Sequence, residues 1–545
     1  MRGNMVLANI LKMEGTEYLF CYPANTLIEA AAIAGIKPIM SRTERTTVNM
    51  ADGYTRVRNG HDSGVVVTQS GPGVENTFPG VAHAYAESTP ILVLPGGTSR
   101  DTSGRSPDFD AISAYRGVTK WASEVNQTRR MPEMMRRAYT LLRSGRLGPV
   151  MLQIPGDLDR EEIDEESFQY SPVRPIRSMG DPKDVQDAVR MLMASKDPII
   201  YAGQGILWAE ATSELIAFAE LSGIPVVTTN TGKSAFPEDH PLSLGVAANT
   251  MTKMARHFLD KADLVLGIGC SFTTNLASAR VPDGKTLIQC TVDAIDLNKE
   301  QQISQAIIGD ARLVLNQLIG EFKSQINGRG FTDGDSVKDE IGKIKQEWLE
   351  EWMPLLTSDE EPINPYRIIW DLMKAVDRSN TIVTHDSGHP RDQTIPFYES
   401  VAPRGYLGWG NSSQLGYSLG LAMGAKLGAP EKLVVNIMGD AAIGMAGMDI
   451  ETAVRLEIPI LTIVLNNHVL SGYSLNYPVA AEKYGFTNLY GNYADLAQTL
   501  GAYSERVTSP SQIIPAIHRA IDNMNKGVPA LLEFMTKEEN RLSRY

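Results

Sequence analysis

Short runs of β-branched and aliphatic residues alternate with stretches of helical character along this chain. Such runs occur at 64–68, 91–94, 198–201, 264–268 and 381–384. Alternation of this kind favours parallel sheets that helices cover on both faces, because each parallel strand needs a crossover to reach the next one. We therefore predict an α/β fold with three doubly wound parallel-sheet domains in series.

Two polar stretches rich in proline, glycine and charge divide the chain at 161–184 and 327–365. The first is typical of an interdomain linker. The second contains a charged helical pattern at 337–352, which we interpret as a solvated helix that joins two domains. A chain of 545 residues is also too long for one hydrophobic core. The predicted domains are residues 1–165, 185–326 and 363–545.

Composition and charge exclude several classes of protein. Hydrophobic residues make up 43% of the chain and charged residues 21%, as in ordinary globular proteins. The formal net charge of -13 argues against a nucleic-acid-binding protein, which needs a basic face. Cys21, Cys270 and Cys290 form no CxxC pair, so we expect neither a disulfide framework nor a zinc site. The sequence has no long apolar run and no signal-peptide pattern, so we expect no membrane partner and a cytoplasmic location.

The strongest chemical signal is a pair of polar strand ends in the last segment. A β-rich run at 434–438 leads to Asp440, a second at 460–465 leads to Asn467, and residues 448–456 fit a crossover helix between them. Parallel strands would deliver both side chains to the same carboxyl edge of a sheet, where ligands of open α/β sheets bind.

Oxygen ligands at such an edge suit Mg²⁺, which completes its coordination shell with phosphate oxygens. The small residues Ala441 and Ala442 would let backbone N–H groups approach those phosphates. An ordinary βαβ unit with an acidic turn explains the spacing equally well. The spacing alone therefore leaves both interpretations open.

A second motif lies near the start of the chain. Residues 42–56 contain Glu44, and Gln69 and Asn76 follow in the stretch 69–76. Alone, Glu44 indicates a solvated carboxylate at the start of a helix.

Together with the unit around Asp440 and Asn467, this motif resembles the thiamine-diphosphate-dependent family of acetolactate synthase, oxalyl-CoA decarboxylase and 2-hydroxyacyl-CoA lyase. The resemblance covers almost the whole chain in the family's domain order: a pyrimidine-binding, a central and a diphosphate-binding domain. The matching stretches are 42–56, 69–90, 148–157, 236–242 and 439–467.

The resemblance implies thiamine diphosphate and Mg²⁺ as cofactors. In that family the carboxylate matching Glu44 bonds to N1′ of the aminopyrimidine and promotes the imino tautomer that removes the C2 proton. The implied metal ligands are Asp440, the side chain of Asn467 and the main-chain oxygen of Val469. The other implied cofactor contacts are Pro23, Asn76, Gly388, His389, Leu415, Gly439, Ala441 and Ala442.

The family's active sites span two subunits, so the resemblance implies a homodimer or homotetramer. Leu415 occupies the place of the large apolar residue that supports the cofactor in its bent shape. Gly388 and His389 match a segment that contacts the diphosphate.

The chain departs from the family pattern where the substrate binds. Acetolactate synthases place a Phe-Gln pair where this chain has Ser106 and Pro107. Asp108 could replace the missing group, but a plain turn at Pro107 is the better interpretation. The candidate substrate-pocket residues are Gln69, His83, Asp108, Phe109, Leu470, Ser471 and Tyr473. For His83, a position on a helix surface or at an interface competes with a role as proton carrier.

The central domain shows a second departure. Residues 269–275 lack the arginines that flavin-containing acetolactate synthases carry, so we do not expect FAD. Asp293 could meet the ribose of ADP, as in relatives that bind it, or it ends a strand.

These observations predict an acetolactate-synthase-like enzyme that decarboxylates a 2-oxo acid and transfers the product in a carboligation. One alternative is a 2-hydroxyacyl-CoA lyase that takes an acyl-CoA and releases an aldehyde or ketone and formyl-CoA. A non-catalytic cofactor-binding relative is a third, against which the joint presence of Glu44, Asp440 and Asn467 argues.

Overall fold

The structure is a computed structural model that describes residues 1–105, 108–326 and 334–545. The predicted turn at Ser106 and Pro107 lies outside the described residues, as does the segment 327–333 of the second polar stretch. Within the described ranges, every helix is too short or too polar to cross a membrane. Cys21, Cys270 and Cys290 are buried free thiols.

The first domain is a parallel sheet with helices on both faces. Its strands are β1 (Tyr18–Cys21), β2 (Lys37–Met40), β3 (Val65–Val67), β4 (Leu92–Val93), β5 (Gly96–Gly97), β6 (Trp121–Glu124) and β7 (Val150–Pro155). Its helices are α1 (Gly3–Met13), α2 (Leu27–Ile33), α3 (Glu44–Val57), α4 (Pro72–Ala86), α5 (Ala111–Tyr115) and α6 (Met131–Leu142). The strand order is β2-β1-β3-β4-β7-β5, and β6 also pairs with β7.

Alternate residues of these strands face two different cores. Phe20 and Val66 lie on the face covered by α3 and α4, whereas Leu19 and Val65 lie on the face covered by α1, α2 and α6. This alternation follows from the two-residue period of a strand. The core that contains Phe20 continues into the third domain, so α3 is buried between two domains.

The second domain repeats this architecture. Its strands are β8 (Pro198–Ala202), β9 (Val226–Thr229), β10 (Ser243–Ala247), β11 (Leu264–Ile268), β12 (Thr286–Thr291) and β13 (Gln305–Ile308). Its helices are α7 (Pro182–Ala194), α8 (Gly205–Trp208), α9 (Thr212–Ser222), α10 (Lys253–Lys261) and α11 (Ala311–Ile326). The parallel strands follow the order β10-β9-β8-β11-β12-β13.

The connection to the third domain differs from the prediction. A long helix, α12 (Gly334–Leu356), covers the charged pattern, but Ile341, Ile344, Trp348 and Trp352 are buried. The Trp348 ring stacks on Phe397 of the third domain with centroids 4.9 Å apart. The interpretation as a solvated helix is therefore wrong, because an apolar stripe at helical spacing packs against the third domain.

The third domain is also a parallel sheet. Its strands are β14 (Thr381–His385), β15 (Tyr406–Leu407), β16 (Leu433–Gly439), β17 (Leu461–Asn466), β18 (Tyr503–Val507) and β19 (Ala530–Met535), in the order β15-β14-β16-β17-β19-β18. Its helices are α13 (Pro365–Ala375), α14 (His389–Phe397), α15 (Ser418–Gly428), α16 (Asp440–Ala446), α17 (Ile450–Arg455), α18 (Tyr473–Asn476), α19 (Pro478–Tyr484), α20 (Tyr493–Thr499) and α21 (Ile513–Met524). Short 3-10 turns cover Thr128–Arg130, Glu165–Ser167, Ala294–Asp296, Arg378–Asn380, Gly447–Asp449 and Pro510–Gln512. The predicted fold class is confirmed.

The first and third domains meet where α3 crosses α15. Gly424 lies at the crossing, and a Cβ atom there would lie 1.9 Å from the carbonyl oxygen of Met50. The two backbones can approach this closely because glycine has no side chain. The crossing fixes α3, and with it Glu44, against the third domain.

Candidate cofactor site

Asp440 and Asn467 lie at neighbouring strand ends, as the sequence predicts. Gly439, the last residue of β16, pairs with Leu465 of β17, and Asp440 begins α16 directly after it. The predicted crossover helix at 448–456 accounts for only part of this connection. Helix α16, the 3-10 turn and α17 together form the crossover, because the chain turns into a helix at Asp440 itself.

One oxygen of the Asp440 carboxylate is buried without a partner. Its Oδ1 accepts the backbone N–H of Ala441 at 2.8 Å, whereas Oδ2 has no hydrogen-bond partner within the described part of the chain. Burial raises the pKa of Asp440, and the backbone N–H groups of Ala441, His468 and Asn467 partly oppose this effect. A buried carboxylate oxygen without a partner is costly, and a bound cation would remove that cost.

The amide of Asn467 orders the loop that follows β17. Its Oδ1 accepts the backbone N–H of Val469 at 3.1 Å, and its Nδ2 donates to Ser471 Oγ at 2.6 Å. The loop therefore holds the predicted metal ligands Asn467 and Val469 beside Asp440. The donor set is one carboxylate, one amide and one backbone carbonyl, and such hard oxygen donors fit Mg²⁺.

Two helix N-termini face the same edge of the third sheet. Strand β14 pairs with β16 and leads to Gly388, the residue before α14, while β16 leads to α16. Gly388 has a φ of +79°, and a Cβ atom there would meet no heavy atom within 4 Å. His389 begins α14, and burial lowers its pKa. Helix N-termini with open space beside them fit a diphosphate.

The loop that contains Leu415 is held by a buried aspartate for which we predicted no role. Asp386, directly after β14, accepts the backbone N–H groups of Gly416 at 2.9 Å and Ser418 at 3.1 Å. It also accepts the Ser418 hydroxyl at 2.6 Å. These bonds position Leu415 beside the diphosphate edge. A polar residue directly after an apolar strand was the available signal for Asp386.

Glu44 is the first residue of α3 and is only 6% exposed. Thr43 caps the helix by accepting the backbone N–H of Thr46, and Asn76 Nδ2 approaches Glu44 Oε2 at 3.5 Å. The interpretation of Glu44 as a solvated carboxylate is therefore wrong, because α3 is buried between the first and third domains.

Other predicted residues follow strand ends of the first sheet. Pro23 comes after β1 and Gln69 after β3, and the Asn25 side chain ties the two loops by donating to the carbonyl oxygen of Thr68 at 3.0 Å. Pro23 and Asn76 are exposed. This edge of the first sheet thus collects the predicted cofactor contacts Pro23 and Asn76 and the predicted substrate-pocket residue Gln69.

The predicted substrate-pocket residues have different environments. Asp108 is exposed and Phe109 packs partly against the core. Leu470 and Ser471 are half-buried in the loop that follows β17. Tyr473 is 49% exposed at the start of α18.

His83 is fully buried, so its interpretation as a helix-surface residue is wrong. Its ring stacks on Tyr417 of the third domain with centroids 3.6 Å apart, and burial lowers its pKa well below the ordinary value. Its position at an interdomain interface agrees with the alternative that the sequence left open.

A cavity of about 350 Å³ lies between the first and second domains, and Gly410 and Asn411 of the third domain also line it. The ends of several central strands line it, including Gly203, Thr229 and Gly269, together with Arg146 and Arg177. Asp293 accepts the backbone N–H of Ile295 at 3.1 Å, which agrees with its interpretation as a strand-end residue.

Comparisons with known proteins agree with this geometry. The family models "Thiamine pyrophosphate enzyme, N-terminal TPP binding domain", "central domain" and "C-terminal TPP binding domain" match residues 1–127, 185–318 and 386–534. The probable acetolactate synthase large subunits of Methanocaldococcus jannaschii and Methanococcus aeolicus are 28% and 29% identical to this chain. These matches cover 96% and 100% of the chain and 90% and 93% of the relatives. The acetolactate synthase isozyme 3 large subunit of Escherichia coli is 29% identical over 86% of this chain and 82% of its own length. The chain therefore belongs to the thiamine-diphosphate-dependent enzymes and is acetolactate-synthase-like.

Proposed function

We propose that this enzyme decarboxylates a 2-oxo acid and joins the resulting two-carbon unit to a second carbonyl compound, as an acetolactate synthase does. The cofactor part of this proposal rests on Oδ2 of Asp440, which is buried without a hydrogen-bond partner within the described residues. A bound cation would pair with this oxygen, and the two helix N-termini beside it would bind the diphosphate. The names of the full-length relatives support the choice of a 2-oxo acid as substrate.

The roles of the residues follow from their positions. Asp440, the Asn467 side chain and the main-chain oxygen of Val469 would hold Mg²⁺. Backbone N–H groups at the starts of α14 and α16, including those of His389 and Ala441, would bind the diphosphate. Thiamine diphosphate, when bound, supplies an electron sink next to the substrate carbonyl. Glu44 would hold a proton on its carboxylate, away from water, for exchange with the aminopyrimidine.

The remaining predicted contacts complete this arrangement. Leu415 would support the bent cofactor, Gly388 and Gly439 would leave room for it, and Ala442 would add a backbone contact. Pro23 and Asn76 would border the pyrimidine. Location in the cytoplasm stays a prediction.

We propose a homodimer or homotetramer, in which Glu44 of one chain serves the cofactor held by another. The segment that follows the Asn467 loop supports oligomer formation, because it exposes apolar side chains that a partner could cover. They are Tyr473, Leu475, Tyr477, Val479, Tyr484, Phe486 and Tyr490.

Light scattering after size exclusion tests the oligomer. Leu475→Glu with Val479→Glu should reduce the mass to that of a monomer, whereas Ile33→Glu, at an exposed position on α2, should not. A monomeric native enzyme would contradict the shared site.

We also propose that the cavity between the first two domains binds an adenine nucleotide such as ADP. It lies at the carboxyl ends of parallel strands, where open α/β sheets bind ligands. Titration calorimetry with ADP and with FAD distinguishes the two ligands, and we expect heat only from ADP. Binding of FAD, or of neither nucleotide, would contradict this part of the proposal.

The reaction is tested with the full chain, thiamine diphosphate and Mg²⁺. Pyruvate should be consumed, and Glu44→Gln should abolish turnover while retaining the cofactor. Glu29→Gln, at an exposed position on α2, is the matched control and should remain active. If the enzyme releases formyl-CoA from a 2-hydroxyacyl-CoA and does not consume pyruvate, the proposal of a 2-oxo acid as substrate is contradicted. Cofactor binding without turnover of any 2-oxo acid would indicate the non-catalytic relative.

A further inference from the structure

A buried aspartate of the third domain holds both sides of the turn that carries Glu44. Asp449 ends the 3-10 turn after α16 and is 2% exposed. Its Oδ1 accepts the backbone N–H of Arg42 at 2.8 Å, and its Oδ2 accepts the Thr46 hydroxyl at 2.6 Å. Glu44 lies between these two residues in the sequence. The contact thus joins the 3-10 turn after α16 to the start of α3.

These bonds add to what α3 needs for its own stability. Thr43 already caps the helix through the backbone N–H of Thr46. Asp449 belongs to another domain, and its pKa is raised by burial, so a carboxylate there is costly without partners. The hydroxyl of Thr452, from its own domain, supplies a third bond to Oδ1 at 2.9 Å.

A second link from the same turn leads to the same domain. The Arg45 guanidinium donates a hydrogen bond to the main-chain oxygen of Leu415, the residue expected to support the cofactor. Arg42, Arg45 and Thr46 therefore all contact the third domain. The residues on both sides of Glu44 are thus held by the third domain.

We propose that Asp449 is a positioning residue that fixes the first turn of α3 and so orients the Glu44 carboxylate. This proposal rests on the proposed function, because it takes from it the proton-holding role of Glu44. Asp449 touches neither substrate nor cofactor in this assignment. Loss of its bonds lets the first turn shift, and shifts of about 1 Å in a reacting group lower rates by about a hundredfold.

A matched pair of threonine variants tests the bond across the domains, although the Thr46 hydroxyl also accepts a hydrogen bond from the Thr43 hydroxyl at 3.1 Å. Thr46→Val and Thr452→Val each remove one hydroxyl from the same carboxylate, but only Thr46 lies on α3. The readout is deuterium exchange at C2 of the bound thiamine diphosphate, followed by NMR after acid quench, which needs no substrate. We expect Thr46→Val to slow exchange and kcat by about 10- to 100-fold, with the KM for pyruvate changed much less. Thr452→Val should leave exchange near the native rate.

Variants of Asp449 itself distinguish the effect of its hydrogen bonds from the effect of its negative charge. Asp449→Leu should slow exchange at least as much as Thr46→Val. Asp449→Asn keeps an oxygen for the Arg42 N–H and a group that can bond the Thr46 hydroxyl, so it should restore most of the rate. Circular dichroism confirms that each variant is folded.

The outcomes separate this proposal from the proposed function. If Glu44→Gln leaves C2 exchange unchanged, the proton-holding role of Glu44 fails. If Glu44→Gln slows exchange but Thr46→Val does not, the positioning role of Asp449 is overturned. It is also overturned if Thr452→Val slows exchange as much as Thr46→Val, because general loosening would then explain both.

Discussion

Replacing Gly424 with alanine tests the helix crossing that fixes α3 against the third domain. The new Cβ would lie 1.9 Å from the carbonyl oxygen of Met50. The opposing Gly53 is equally constrained, because its Cβ would lie 2.0 Å from the carbonyl oxygen of Leu421. Both contacts are to backbone atoms, so no side-chain rotation relieves them. Gly424→Ala must therefore push the two helices apart.

Two opposing effects determine how much Gly424→Ala changes the free energy of opening the interface. Overpacking a tight core costs about 1–3 kcal/mol, and a rigid backbone contact lies at the upper end, about 3 kcal/mol. Alanine is the better helix former and returns about 1 kcal/mol. The free energy of opening this interface should fall by the difference, about 2 kcal/mol, which corresponds to about 30-fold in the opening equilibrium.

Hydrogen exchange of peptides from α3 and α15, measured by mass spectrometry, reports this opening. Exchange there should accelerate about 30-fold in Gly424→Ala. Gly320→Ala is the control, because Gly320 is exposed on α11 and its Cβ would meet nothing within 4 Å. That variant should be stabilised by about 1 kcal/mol. Unchanged exchange in α3 and α15 of Gly424→Ala would refute the reasoning.

Three further predictions concern buried charge. Asp440→Ala should weaken the Mg²⁺-dependent binding of thiamine diphosphate, measured by calorimetry, by at least about tenfold. The same substitution should raise the melting temperature of the cofactor-free chain, because it removes a buried oxygen that has no partner within the described residues. Lys233→Met leaves buried Glu238 without the ammonium 2.6 Å away, so urea unfolding should show a loss of about 3–5 kcal/mol that Glu238→Gln largely reverses. Burial lowers the pKa of His385 from 6.5 to about 3, so between these values only the unfolded state binds the proton and stability falls as pH drops. His385→Gln should make the free energy of unfolding less dependent on pH in this range, by up to about 1.4 kcal/mol per pH unit.

The sheets could be predicted from sequence because parallel strands covered on both faces are continuous apolar runs. The runs at 198–201 and 264–268 became β8 and β11. Asp440 and Asn467 could be placed together for the same reason, since strand ends share an edge. Helix α16 was missed because Gly444 and Gly447 interrupt the helical pattern there.

Contacts between distant residues left no local pattern. Helix α3, which begins at Glu44, is buried against a domain far along the chain, and Asp449 reaches Arg42 across 407 positions. His83 is buried because Tyr417 stacks on it, which no helical period reveals. The charge pattern and the helix or strand propensity of a segment predict the structure of that segment alone. The burial of these groups depends on packing against another domain.

Two contacts at different points along α3 hold it against the third domain. Each contact restrains a different part of the helix. The Asp449 bond to Thr46 fixes the first turn, and the crossing at Gly53 lies seven residues further, about 10 Å along the helix. Sites this far apart act almost independently. Thr46→Val combined with Gly424→Ala should therefore slow C2 exchange by the product of the two single effects, whereas a much smaller combined effect would mean that both contacts act through one shared motion.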